Sequence, residues 1–165
     1  MKPVIIAFAA VLAVAAPAFA ETKPAAPAPL AYPPYGRTVT LAEARTAAAA
    51  AEAEALRNGW NMVITVVEPN GAMVLSQKMD GTQYGSNDVA RRKAETAASF
   101  KRPTSYFQEA VKAGTLNSIF SGALAIEGGE LLIVDNTVVG AIGVSGGTGA
   151  QDGQVARVAA AAILK

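Results

Sequence analysis

The sequence predicts an α+β fold in which helices flank an antiparallel β-sheet. Two pairs of short apolar strands are each joined by a tight turn, and such hairpins make neighbouring strands antiparallel. Alanine-rich helical patterns precede, separate and follow the two hairpins. Helices around hairpins, without strand–helix–strand crossovers, indicate α+β rather than a doubly wound sheet.

The residues before the domain fall into two segments. Residues 1–20 carry Lys2, an apolar run and a final Ala18-Phe19-Ala20, which is the pattern of a secretory signal peptide. Residues 21–37 hold five prolines among alanines and favour an extended leader. The leader is either a spacer or an arm that packs on a neighbouring subunit through Tyr32 and Tyr35. We expect an exported protein, periplasmic or extracellular, whose single domain covers residues 38–165.

The first half of the domain predicts a helix followed by a hairpin. Thr40 and Glu43 have the spacing of a capping box, and Asn58-Gly59 predicts the end of the helix. Residues 61–68 and 72–79 then predict two strands joined by a Pro-Asn-Gly turn. Because residues 61–68 are apolar on both faces, we expect a central strand there.

The middle of the chain predicts two more helices. Ser86 is the expected cap of the first, which ends before Pro103 because the residue before proline resists the helical conformation. The second covers residues 104–112, with Ser105 and Gln108 as its expected capping box. Residues 116–129 predict a loop or a short strand.

The strongest local signal is a hairpin beginning at Glu130. Asp135 and Asn136 separate two apolar, largely β-branched runs and tolerate the left-handed conformations of a tight turn. Gly140 and Gly143 lie three apart, one on each face of the second strand, where each admits a close backbone or a flat ligand. Residues 151–164 predict the last helix.

Composition excludes several kinds of site. The chain has no histidine and no cysteine, which excludes catalytic triads with histidine, histidine-based zinc sites, disulfides and a histidine ligand to haem iron. Without the signal peptide, basic and acidic residues balance at 13 each, which argues against nucleic acid as a partner. No apolar run is long enough to predict a membrane span, and no metal site is expected.

Candidate binding residues are basic or lie at the ends of elements. Lys93 shares a helix face with apolar residues, so its stem is either simply buried or aims its ammonium at a cleft. Lys101 and Arg102 end the same helix. Tyr84 and Thr104 stand at element ends, where binding residues tend to collect.

Several short motifs, in order, resemble the GlcG/HbpS family, also described as a haem-binding or haem-degrading domain. They are Met79-Asp80-Gly81, Ser86, Lys93-Ala94, Thr96-Ala97, Phe100, Pro103-Thr104, Gly128-Gly129, Gly140-Ala141-Ile142-Gly143-Val144-Ser145-Gly146 and Asp152. The resemblance runs from Leu41 to the C-terminus. It implies a profilin-like fold with a five-stranded antiparallel sheet and assembly into a homo-oligomer.

The family includes secreted members that bind or break down haem, with a branch that modulates a sensor kinase, and others in glycolate or diol metabolism. The resemblance implies that Thr104 contributes to a haem-contacting site and that Lys93, Lys101 and Arg102 neutralise the propionates. Tyr84 is a further candidate contact. Without histidine, iron ligation would fall to a hydroxyl, a tyrosine, a methionine or a lysine.

The sequence thus leads to an exported, oligomeric protein that binds haem or another tetrapyrrole, for sequestration, sensing or breakdown. One alternative is an enzyme or binding module for a small organic acid, with Lys93 as the charged group and Asp80 or Asp152 as acid or base. Another is a periplasmic scaffold or partner of a sensor protein. No catalytic residue is assigned.

Overall fold

The computed structural model describes residues 32–116 and 122–164. These residues form four helices and four strands, in the order α1 (Leu41–Arg57), β1 (Val63–Val67), β2 (Met73–Lys78), α2 (Ser86–Phe100), α3 (Thr104–Lys112), β3 (Gly129–Val134), β4 (Thr137–Ser145) and α4 (Gly149–Ala161). The predicted signal peptide, most of the leader and part of the loop before β3 lie outside the described residues. Of the helices described, none has the length and apolarity to cross a membrane.

The strands form one antiparallel sheet in the order β2-β1-β4-β3. This confirms the α+β class, the two hairpins and the central position of β1, whose five residues are all buried. The described residues contain four strands and not the five that the resemblance implied. A short segment before α1 adds a single parallel bridge between Tyr35 and Val138.

Helices cover both faces of the sheet. On one face α1 and α4 bury alanines against apolar side chains of β1 and β4, such as Ile64 and Ile142. On the other face α2 packs its own alanines close to the backbone of β4. A Cβ at Gly143 would overlap the carbonyl oxygen of Ala90, so this glycine allows the close approach of helix and sheet. The approaching group is backbone and not a ligand.

The local signals were right at the turns and at the first helix. Asp135 and Asn136 have φ values of 48° and 55°, as a two-residue hairpin turn requires. Thr40 and Glu43 form the reciprocal capping box expected for α1.

Two cap predictions were wrong. Ser86 lies inside α2, where its buried hydroxyl hydrogen-bonds that of Ser145, and Gly85 takes the cap position. The predicted Ser105–Gln108 capping box does not form. Ser105 lies inside α3, Pro103 occupies the N-cap position without a side-chain hydrogen bond, and Gln108 accepts a hydrogen bond from the Glu127 amide. In both cases a tertiary partner takes the side chain that a local cap would use.

The last helix begins at Gly149, two residues earlier than predicted. Thr148 accepts a hydrogen bond from the Gln151 amide and Gln151 reaches back to Thr148, which is a second capping box. Because Gln151 completes the cap, the Asp152 side chain is available for contacts inside the molecule.

Candidate functional site

The turn between α2 and α3 presents two adjacent cations. Lys101 is the C-terminal cap of α2 and adopts a left-handed conformation, with φ of 52°, while its amide bonds the Ala97 carbonyl. A left-handed cap turns the chain sharply away from the helix axis. Pro103 is the N-cap residue of α3, so the Lys101 and Arg102 side chains both leave the backbone at the corner between the two helices.

Aromatic rings surround these two cations. The Arg102 guanidinium carbon lies 4.3 Å from the ring centroid of Tyr32 and 4.3 Å from that of Tyr106. The Lys101 ammonium lies 5.2 Å from the centroid of Tyr35. These distances are typical of cation–π contacts, and we call the five residues the junction cluster.

Both cations of the junction cluster lack an acidic partner within the described part of the chain. Six other basic residues there form ion pairs: Arg37, Arg57, Arg91, Lys93, Lys112 and Arg157. The Nε of Arg102 donates to the Phe100 carbonyl at 3.3 Å. Its remaining N–H groups lie at the edge of the guanidinium plane, in the fork that suits a carboxylate.

Thr104 lies directly behind this corner and is fully buried. Its hydroxyl oxygen accepts a hydrogen bond from the Gly129 amide at 2.8 Å, which ties the start of α3 to β3. A Cβ at Gly129 would overlap the Lys93 carbonyl oxygen and the Thr104 methyl group. The Gly128-Gly129 pair therefore fits a space that no larger residue enters, and Thr104 supports the corner from inside.

Lys93 is also fully buried, and its ammonium points into the interior. It donates to an Asp152 oxygen at 2.6 Å and to the Val144 carbonyl at 3.0 Å. The other Asp152 oxygen accepts the Gly147 amide at 2.9 Å. One buried ion pair thus joins α2, β4 and α4. Of the two alternatives for Lys93, burial is the one observed, and its ammonium is paired inside the protein.

Burial moves both members of this pair toward neutrality. It lowers the pKa of the Lys93 ammonium, although the neighbouring Asp152 carboxylate acts in the opposite direction. It raises the pKa of the Asp152 carboxyl, although Lys93 and the Gly147 amide oppose that shift. The pair is therefore held by mutual charge and hydrogen bonding in a site that disfavours either charge alone.

Tyr84 lies apart from the junction cluster. It precedes α2 while Lys101 and Arg102 follow it, and a helix of 15 residues is roughly 22 Å long. Its ring is exposed beneath the Lys78 ammonium, at 5.6 Å. Lys78 also lines an open cleft of about 370 Å³ with Glu52, Leu56, Asn61, Met79 and Asp80. The structure thus separates Tyr84 and Asp80 from the other candidates.

A second acidic group was missed by the sequence reasoning. Glu130 on β3 is largely buried, and burial raises its pKa to about 7, with Glu127 adding to the shift and Arg157 opposing it. Arg157 binds Glu127 at 2.7 Å and stands 3.8 Å from Glu130. The only sequence signal was a carboxylate at the start of an otherwise apolar strand.

No described residues cluster as three or more histidine, cysteine or acidic side chains able to hold a metal ion. The junction cluster instead combines flat apolar faces, an exposed phenol, that of Tyr106, and two cations without acidic partners among the described residues. That set suits a planar ligand with carboxylate arms, and tyrosine is among the side chains that ligate haem iron. The residues present therefore fit a haem.

Comparison with known proteins identifies one family. The model of the family described as "Haem degrading protein HbpS-like" matches residues 39–161. An uncharacterized 15.0 kDa protein from the dhaT-dhaS intergenic region of Citrobacter freundii is 38% identical over 127 residues, covering 74% of this chain and 89% of that protein.

Two solved structures share the fold. A double mutant of HbpS from Streptomyces reticuli has a TM-score of 0.70 at 34% identity, covering 76% of this chain and 87% of that one. A PduOC:heme complex has a TM-score of 0.69 at 25% identity, covering 76% of this chain and 95% of that one.

Proposed function

The chain belongs to the HbpS-like family, and from that premise we propose that it is an exported, oligomeric protein that binds haem or a related tetrapyrrole at the junction cluster. The observation that carries the proposal is a pair of cations, Lys101 and Arg102, that have no acidic partner in residues 32–116 and 122–164 and lie among the rings of Tyr32, Tyr35 and Tyr106. The similarity to a PduOC:heme complex supports the choice of ligand.

Each part of the cluster matches a part of haem. Lys101 and Arg102 would bind the propionates, and the aromatic faces would pack on the macrocycle. Tyr106 would offer a phenol oxygen to the iron. Bound haem would supply redox-active iron, which is the chemistry that haem breakdown or sensing needs. Thr104 would hold the corner in place through Gly129, and the prediction that it also contacts haem stays a prediction.

The first test is a titration of the mature chain with hemin, followed by the Soret band and by light scattering. We expect a saturable shift at one stoichiometric ratio. Arg102→Gln should weaken binding about tenfold, since it removes a charge-assisted bond to a carboxylate. Arg92→Gln removes the same charge from an exposed position on α2 and should leave the affinity unchanged. A featureless rise that never saturates would refute the proposal.

Tyr106→Phe tests the iron ligand separately. The variant keeps a ring beside Arg102 and removes only the hydroxyl. If Tyr106 ligates iron, the haem spectrum should change while binding of metal-free protoporphyrin IX stays the same. An unchanged spectrum would move the ligand elsewhere, with Thr104→Val as the next variant to measure.

The small-acid alternative remains testable at the same cluster. Lys101 and Arg102 would bind any compact carboxylate, so competition of hemin by a small dicarboxylate would favour it. The acid–base version built on Lys93 has less support, because that ammonium is buried and already paired with Asp152.

Export and self-assembly have their own tests. The signal-like pattern of residues 1–20 supports export, and the mass of the protein recovered from the periplasm should correspond to a start near Glu21. Assembly into a homo-oligomer is what the resemblance to the GlcG/HbpS family implies. Light scattering of the purified protein should give a mass that is a multiple of the single chain.

A partnership with a sensor protein would be tested by pull-down with the leader present and deleted.

A further inference from the structure

The segment before α1 contributes to the junction cluster although it precedes the family match. The match begins at residue 39, whereas Tyr32 and Tyr35 supply two of the four rings beside the cations, the others being Tyr106 and Phe107. We call residues 32–38 the arm. The arm therefore lies outside the part of the chain that the family model matches.

The arm is docked by backbone and side-chain hydrogen bonds. The Gly36 amide donates to the Val138 carbonyl at 3.0 Å, and the Val138 amide donates to the Pro34 carbonyl at 2.9 Å. A Cβ at Gly36 would overlap the Thr137 hydroxyl, so the contact leaves no room for a larger residue. These bonds fix the arm to the start of β4.

Tyr35 then fastens the arm to the end of α2. Its hydroxyl donates toward the carbonyls of Ala98 and Ser99, at 2.8 Å and 3.1 Å. The last carbonyls of a helix have no partner within the helix, so Tyr35 satisfies groups that would otherwise need water. The same ring lies beneath the Lys101 ammonium.

Tyr32 packs against the second cation, Arg102. A guanidinium that packs against a ring uses its face and keeps its in-plane N–H groups at the edge. An arginine side chain in water samples many rotamers, and fixing it before a ligand arrives reduces the entropy lost on binding. Tyr32 and Tyr106 together hold Arg102 in one such arrangement.

We propose that the arm is part of the ligand site: Tyr32 and Tyr35 hold Arg102 and Lys101 as an anchor for the carboxylates of a planar ligand, so that arm docking and ligand binding stabilise each other. This inference rests on the proposed tetrapyrrole function. By thermodynamic linkage, whatever factor the docked arm adds to ligand affinity, the ligand adds to arm docking.

The test compares Tyr32→Ala with Tyr84→Ala in the mature protein, since Tyr84 is an exposed tyrosine at the opposite end of α2. The probes are hemin, metal-free protoporphyrin IX and protoporphyrin IX dimethyl ester, whose carboxylates are blocked. Tyr32→Ala should weaken both free acids about fivefold, the size of a partly desolvated cation–π contact, and should not change the ester. Tyr84→Ala should bind all three like wild type, and Tyr32→Phe, which keeps the ring, should restore binding.

Hydrogen exchange supplies a second readout that does not depend on iron. The Gly36 and Val39 amides bond to the Val138 and Val139 carbonyls, so their exchange reports whether the arm is docked. Saturating protoporphyrin IX should slow exchange of both amides by at least the factor by which Tyr32→Ala weakens binding, since Tyr32 carries part of the coupling. In Tyr32→Ala this slowing by the ligand should be smaller, because only the Tyr35 contact then links the arm to the cations.

The outcomes separate this inference from the proposed function. Saturable binding by wild type, with equal affinities in Tyr32→Ala and Tyr84→Ala and no change in amide exchange, would overturn the role of the arm and leave tetrapyrrole binding intact. An equal loss for the ester would overturn the carboxylate anchor. No saturable binding of any probe by wild type would overturn both.

Discussion

Lys93→Met is the most informative single change, because it removes the ammonium and keeps a stem of similar length in the same space. Asp152 would then be buried without its counter-charge. Removing one member of a buried ion pair typically costs about 3–5 kcal/mol. Since Asp152 keeps the Gly147 amide as a partner, we expect the lower end, a loss of about 3 kcal/mol in the free energy of unfolding at pH 8.

The loss should depend on pH in one direction. Without Lys93, which lowers it, the folded-state pKa of Asp152 rises further above the unfolded value of about 3.9. A carboxyl whose folded pKa is raised favours the folded state when protonated, and that contribution is lost as the pH rises from the unfolded to the folded pKa. The deficit of Lys93→Met should therefore be smaller at pH 5 than at pH 8, changing by at most about 1.4 kcal/mol per pH unit.

Urea unfolding of four proteins measures this effect: wild type, Lys93→Met, Asp152→Asn and the double variant, at pH 5 and pH 8. The asparagine keeps an acceptor for the Gly147 amide. The double variant has no unpaired charge, so we expect it to lose about 1–3 kcal/mol less than the sum of the single changes. Protein concentration must be fixed, because assembly would shift apparent stability.

Two results would refute this reasoning. One is a coupling free energy near zero between positions 93 and 152. The other is a loss in Lys93→Met that is the same at both pH values. Either result would mean that Lys93 stabilises the fold through packing of its aliphatic stem and not through its ion pair with Asp152.

Three further predictions concern other positions. Gly143→Ala should lower the free energy of unfolding by about 1–3 kcal/mol, because the new methyl group overlaps the Ala90 carbonyl. Gly85→Ala should be close to neutral, because the space around Gly85 is open. Thermal unfolding compares the two variants. Glu130→Gln should raise the free energy of unfolding above pH 7 by at most about 3.5 kcal/mol and leave it unchanged below pH 4. The reason is that the wild-type carboxyl, whose pKa is raised to about 7, destabilises the fold as it ionises. A constant difference between the two proteins in urea unfolding from pH 4 to pH 8 would contradict this. Asn136→Gly should be neutral or stabilising at a φ of 55°, whereas Asn136→Val should cost about 1–2 kcal/mol, and equal urea midpoints for these two variants would contradict the turn assignment.

The parts of the fold that sequence predicted are those decided by neighbours in the chain. The turn at Asp135-Asn136 needs only two residues that tolerate positive φ between two apolar strands. The capping box at Thr40 needs only the spacing to Glu43. The apolar residues on both faces of β1 also identified it as a central strand.

Contacts between distant residues account for what sequence could not predict. Lys93 and Asp152 lie 59 residues apart, and nothing local to either position names the other. Ser86 and Gln108 look like capping residues, yet tertiary partners occupy both side chains. Intrinsic propensity predicts local structure only weakly, and packing overrides it where a buried polar group needs a hydrogen-bond partner.

The cations of α2 and the turn after it differ in role because their surroundings differ. Lys93 is enclosed and paired, so its charge serves the fold, whereas Arg102 lies at the corner with its guanidinium edge available to a ligand. Lys93→Met should therefore lower hemin affinity only together with unfolding stability. Arg102→Gln should lower affinity while the free energy of unfolding in urea falls by no more than about 1–2 kcal/mol, since the partly exposed side chain loses cation–π contacts and one hydrogen bond to the Phe100 carbonyl. If Lys93→Met weakened hemin binding in a protein of unchanged stability, the buried lysine would have to open toward the ligand, and the assignment of the site to the junction cluster would be wrong.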